Sequence, residues 1–109
     1  ILGEIVPKKA FYDYEAKYED DSTDLYIPAR IPAETADLVR ELALAAFESL
    51  DCEGLARVDF FVQDEGIILN EVNTLPGFTG ISMYPKLMMA GGMSPYDLVG
   101  GLIELAFQK

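Results

Sequence analysis

The stretch "RVDFFVQDEGIILNEVN", residues 57 to 73, decides the fold, because two β-branched and aromatic runs flank Asp64, Glu65 and Gly66. Such runs on either side of a turn-forming break predict a β-hairpin. A three-residue loop is commonly a type I turn followed by a left-handed glycine, and it would pair Gln63 with Ile67. Continuing that register sets Phe61 opposite Leu69, Asp59 opposite Glu71 and Arg57 opposite Asn73. The two-residue period of a strand then brings all six to one face. The other face would carry Val58, Phe60, Val62, Ile68 and Val72. One side of the hairpin is thus expected to be apolar, and the other to end in two carboxylates, an amide and a guanidinium.

Like charges directly opposed across a strand pair cost a few tenths to about 1 kcal/mol, so Asp59 and Glu71 side by side need a cation. Arg57 supplies one positive charge, and a divalent metal would supply more. An ordinary surface salt-bridge cluster would use the same residues and is their commoner role. Three features favour a metal. Asn73 adds a neutral oxygen in line, every donor is oxygen, and the Pro76-Gly77 turn follows directly. Magnesium typically takes one or two carboxylates and completes its shell with substrate phosphates. The site would then be half built for a nucleotide.

Composition agrees. The 109 residues are 50% hydrophobic, enough for one domain with one core. The 19 acidic residues against 8 basic give a net charge of −11, which repels a phosphate backbone and suits metal cations. Nucleic acid is therefore not expected as a partner. Cys52 is the one cysteine and histidine is absent, which excludes an internal disulfide and argues against zinc. No apolar run reaches the roughly 18 residues of a membrane span and no basic n-region precedes a short apolar stretch, so the expectation is a cytoplasmic location with no membrane partner. "ILGEIVP" opens in mid-strand without methionine and reads as a piece cut from a longer chain.

Outward from the hairpin, strand patterns are expected over residues 1 to 6 and 11 to 18. "EDDSTDLYIPARIP" should be an exposed, mobile loop feeding an extended segment. From Ala33 to Leu50, Leu38, Leu42, Ala46 and Leu50 recur at four-residue spacing and predict an amphipathic helix that covers a sheet. "SMYPKLMMAGG" predicts a short helix with Ser82 at its N-terminus. Ser94, Pro95 and Asp97 mark a further helix start running to about Phe107, with Gly100 and Gly101 allowing close packing. The four methionines near it read as core filler. The expected architecture is α+β, an antiparallel sheet of four or so strands covered by two main helices.

"FYDYEAKY", "RVDFFV", "NEVNTLPGFT", "GIS" and "GMSPYDLVGGLIELA", in this order, resemble the C-terminal region of the D-alanine:D-alanine ligases, a family of ATP-grasp enzymes of peptidoglycan synthesis. The resemblance covers residues 1 to 109 and implies the C-terminal lobe of an ATP-grasp fold, a single domain whose partner lobes lie elsewhere in the enzyme. It implies ATP as co-substrate and two magnesium (or manganese) ions, one on Asp59 and Glu71 and the other on Glu71 and Asn73. The carboxylate of one D-alanine is activated as an acyl phosphate, and the amine of a second D-alanine attacks it. Arg57 and the backbone N–H of Gly77 would stabilise the oxyanion, and Ser82 would hold the carboxylate of the second D-alanine. Lys17 and Tyr18 fall in the active-site loop, with Lys17 near the phosphates. Phe11 and Phe61 would flank the adenine.

Without the resemblance, Phe11 and Phe61 read as core residues, Lys17 as a solvated charge, Ser82 as a plain helix cap and Pro76-Gly77 as an ordinary turn. The tyrosine of "EAKY" favours dipeptide-forming ligases over those that make an ester with D-lactate. Two other readings stand beside this one: an ATP-grasp ligase joining other carboxylates and amines, and a catalytically silent acidic binding module. Oligomerisation is compatible with any of them. One lobe alone is expected to be inactive.

Overall fold

The computed structural model describes residues 1–7 and 23–108, in the order β1 (Glu4–Pro7), β2 (Thr23–Tyr26), α1 (Ala33–Ser49), β3 (Arg57–Gln63), β4 (Gly66–Asn73), α2 (Met83–Ala90) and α3 (Pro95–Phe107). The fold class is α+β, as expected. The strands form two separate two-stranded antiparallel ladders, β1–β2 and β3–β4, where one sheet of about four strands was expected. The chain divides into two compact units, residues 1–30 with 77–100 and residues 31–76 with 101–109.

In the second unit the hairpin forms with its base in the expected register: Arg57 faces Asn73 and Asp59 faces Glu71. Its tip differs. Gln63 pairs with Gly66, Phe61 with Ile68 and Phe60 with Leu69, so the connection is the two residues Asp64 and Glu65. Gly66, at φ 153°, takes the backbone conformation that side chains disfavour. The one-residue offset is absorbed between Asp59 and Phe60, where Asn70 has no partner and forms a bulge. Beyond it the faces exchange: Ile68 joins Phe61, while Leu69 and Ile67 oppose Phe60 and Val62.

Helix α1 lies against both strands of this hairpin. It presents a different stripe from the one expected. Val39 is buried and Ala36, Ala43, Ala46 and Phe47 are half-buried, whereas Leu38 and Leu50 are 47% and 61% exposed. A strict four-residue repeat advances about 40° per step on a helix of 3.6 residues per turn, so the Leu38–Leu50 series winds off the face. Mixed three- and four-residue spacing stays on it. The helix ends where Asp51 adopts φ 55°, with the Asp51 N–H donating to Glu48 O (3.0 Å) and the Cys52 N–H to Phe47 O (3.0 Å). Those two bonds satisfy carbonyls that the last turn leaves open.

In the first unit Thr23–Tyr26, expected within a loop, is a strand paired with Glu4–Pro7. Residues 11 to 18, expected as a strand, lie outside the described residues. Arg30 closes the ladder: its guanidinium forks onto Glu4 (Nε–Oε1 3.1 Å, Nη2–Oε2 2.9 Å) and lies 3.5 Å from the centre of the Tyr26 ring. Met83 and Leu98 are buried in this unit. Gly3 lets α2 approach, because a Cβ there would meet Met83 Cε and Leu87 Cδ2 (2.8 Å). At the start of α3 the Ser94 hydroxyl accepts the Asp97 N–H (3.1 Å), the cap read from the sequence. Among the described residues nothing lies within 4 Å of a Cβ built on Gly100 or Gly101, so close packing does not explain them.

Candidate functional site

Alternation along β3 places Arg57, Asp59 and Phe61 on one face, and the pairing adds Asn73, Glu71 and Ile68 from β4. The Arg57 guanidinium forks onto Asp59, with Nε to Oδ1 and Nη2 to Oδ2 both 3.0 Å, and its Nη2 stands 3.7 Å from Glu71 Oε1. Side-chain exposure rises across the cluster, 13% for Arg57, 21% for Asp59 and 42% for Glu71. Among the described residues one guanidinium thus bridges two opposed carboxylates at the base of the hairpin. Asn73 Oδ1 accepts the Leu75 N–H at 3.1 Å, which turns the chain out of β4. That oxygen keeps a second lone pair.

Phe61, 55% exposed, stands on this same face beside its partner Ile68, 51% exposed. The face therefore grades from charged at the base to apolar at the tip. The pairing of Phe61 with Ile68 was missed because the bulge at Asn70 carries no composition signal.

The donor set is two carboxylates and an amide, all hard oxygen. Among the described residues no group of three or more Asp, Glu, Cys or His could hold a metal by itself. The chemistry of the donors suits a hard divalent cation that completes its shell with oxygens from elsewhere. Each Asp59 oxygen has more than one lone pair, so engagement with Arg57 does not exhaust it.

Gly77 and Ser82 stand in the first unit. Gly77 is half-buried in the turn leading to α2. Ser82 is the N-cap residue of α2, as its sequence position suggests, yet its hydroxyl does not cap the helix. It is 5% exposed, and its Oγ accepts the Thr79 N–H at 3.0 Å and lies 2.7 Å from Thr79 Oγ1. Phe78 and Tyr84 flank this turn with ring centres 5.7 Å apart, and burial pushes the Tyr84 hydroxyl above its usual pKa. Thr79 was not singled out from the sequence; a Thr three residues before a Ser is the only signal. Phe11, Lys17 and Tyr18 lie outside the described residues. Among the described residues no helix is long and apolar enough to cross a membrane.

Comparison with known proteins identifies the family. Residues 1–104 match the family model described as the D-ala D-ala ligase C-terminus. A D-alanine–D-alanine ligase of Geobacillus thermodenitrificans is 52% identical over 110 residues, covering all of this chain and 30% of that protein. Among solved structures, the VanG D-Ala:D-Ser ligase from Enterococcus faecalis superposes with a TM-score of 0.79 at 42% identity, covering 94% of this chain and 30% of its own. A D-alanine–D-alanine ligase from Bacillus anthracis complexed with ATP gives 0.79 at 38% identity, covering 97% and 35%. The chain spans about a third of the length of these relatives.

Proposed function

Because the chain belongs to the D-ala D-ala ligase C-terminus family, we propose that residues 1–109 act as one lobe of an ATP-dependent ligase that joins two D-alanines. The observation that carries this reading is the base of the hairpin, where Arg57, Asp59, Glu71 and Asn73 share one face within a chain of that family. The remaining lobes of the ligase would be its partners, and ATP its co-substrate.

Asp59 and Glu71 would hold one magnesium ion and Glu71 and Asn73 a second. Bound there, the ions would act as Lewis acids on phosphate oxygens and neutralise the charge that develops as the terminal phosphoryl leaves. The first D-alanine carboxylate takes that phosphoryl group to give an acyl phosphate and ADP, and the amine of the second D-alanine displaces phosphate. Arg57, oriented by its fork on Asp59, is the proposed side-chain donor to the oxyanion formed at that step. The N–H of Gly77 is the proposed backbone donor. Ser82 is proposed to bind the carboxylate of the second D-alanine. Phe61, with Ile68 beside it, offers an apolar wall to the adenine, and Phe11, Lys17 and Tyr18 are assigned to ATP and loop closure by family resemblance.

A second reading takes D-serine as acceptor, and the likeness to a D-Ala:D-Ser ligase favours testing it. The full-length ligase carrying this segment is expected to release ADP and form D-alanyl-D-alanine when given ATP, magnesium and D-alanine. The 109-residue chain alone is expected to give none, since it offers only part of the set of groups that would align acyl phosphate and amine, the rest lying in the other lobes. Product formed preferentially from D-serine would assign the second reading. Absence of any saturable magnesium effect at Asp59, Glu71 or Asn73 with nucleotide present would leave a silent acidic module.

A further inference from the structure

The pair Thr79–Ser82 has two hydroxyl protons and one hydrogen bond between the hydroxyls, at 2.7 Å. The Thr79 N–H fills one lone pair of Ser82 Oγ at 3.0 Å. If the Thr79 hydroxyl donates to Ser82 as well, both lone pairs of Ser82 Oγ are occupied and the Ser82 proton is left to be given away. A hydroxyl in that state can only donate, which is what an acceptor-only carboxylate requires. Accepting two hydrogen bonds also polarises an O–H and strengthens the bond it makes. The fork fixes the Ser82 side chain at one rotamer, and the Phe78–Tyr84 ring pair braces the turn that carries it. The cost of orienting Ser82 is met before substrate arrives.

We propose that Thr79 is a positioning residue for acceptor binding: its N–H and O–H together hold Ser82 as an obligate donor to the carboxylate of the second substrate. This inference rests on the assignment of Ser82 to that carboxylate. It adds a residue that touches no reacting atom and acts through one that touches substrate.

The test uses the full-length ligase carrying this segment, with steady-state kinetics for both substrates and a thermal midpoint for each variant. Thr79→Val removes the hydroxyl and keeps the shape and the backbone N–H. It is expected to raise KM for the acceptor D-alanine roughly fivefold, the effect of one hydrogen bond, with KM for ATP unchanged and kcat within about twofold. Thr79→Ser restores the hydroxyl and should return KM to within about twofold of the parent. Ser82→Ala should raise the acceptor KM further, and adding Thr79→Val to it should change nothing, because the two residues form one unit. An unchanged KM in Thr79→Val beside a raised KM in Ser82→Ala would overturn the positioning role alone. Additive effects in the double variant would do the same, as would failure of Thr79→Ser to rescue. An unchanged acceptor KM in Ser82→Ala would remove the assignment of Ser82, and the role of Thr79 with it.

Discussion

At its base the β3–β4 hairpin is pinned by charge, and at its tip by backbone pairing over exposed side chains. The base holds a bidentate Arg57–Asp59 contact with Glu71 across the ladder, Arg57 and Asp59 being half-buried and Glu71 exposed. The tip carries Phe61, Val62 and Ile68, each more than 40% exposed, around a two-residue connection. Between them Asn70 forms the bulge. The contrast teaches that turn geometry does not dictate the site. One unpaired residue lets the tip close tightly while the carboxylates stay opposed.

The sharpest way to break the base is Glu71→Gln in the full-length ligase. An amide keeps one neutral oxygen and loses the charge shared by both proposed ions. Turnover measured as ADP release should fall at least about a hundredfold, beyond the range typical of supporting ligand partners, with the thermal midpoint preserved. Near-normal turnover at saturating magnesium would remove the two-metal assignment. Deleting Asn70 probes the joint between the ends. The ladder becomes regular with Asp59 still opposite Glu71, but the twist that aims the carboxylates is lost, and turnover should fall about tenfold. Unchanged kinetics would make the bulge a passive correction of register. Gly66→Ala tests the tip alone. Nothing lies within 4 Å of the added Cβ, so only backbone strain acts. Unfolding free energy should drop by about 1 kcal/mol by denaturant titration, with kinetics unaltered.

The hairpin base was legible in the sequence because strand alternation and family-like residues pointed to the same pairs. The start of α3 was legible because Ser94, Pro95 and Asp97 form a purely local signal, and the Ser94 cap bond confirms it. Four features were not legible, each for a different physical reason. The tip register was lost because Asp-Glu-Gly suits a loop of two or three residues, and the bulge that arbitrates lies four residues away. The buried stripe of α1 was misplaced because leucine outweighs alanine in any hydrophobic reading, whereas the covered apolar positions are Ala36, Val39, Ala43, Ala46 and Phe47, of which only Ala46 belongs to the expected series. Strand β2 was hidden by its acidic, proline-flanked surroundings, since its pairing with β1 is set by a partner distant in sequence. Thr79 escaped notice because its importance lies in one hydrogen-bonding geometry that composition does not encode.

The fork from Arg30 to Glu4 has a consequence for acid behaviour. Its side-chain and backbone hydrogen bonds hold the Glu4 carboxyl below its ordinary value of 4.5. The charged form is therefore favoured by the fold. Its contribution is present above pH 4.5 and is lost as pH falls through the lower native value, because protonation removes the acceptor that the guanidinium grips. The β1–β2 ladder and the segment at Arg30 should loosen together on acidification, while the Ser94 cap, a neutral hydroxyl bonded to a backbone N–H, has no such dependence. Amide exchange followed as pH is lowered below 4.5 should show Leu25, Tyr26 and Arg30 losing protection before Leu98, and Glu4→Gln should remove that dependence on pH, leaving the ladder loosened throughout.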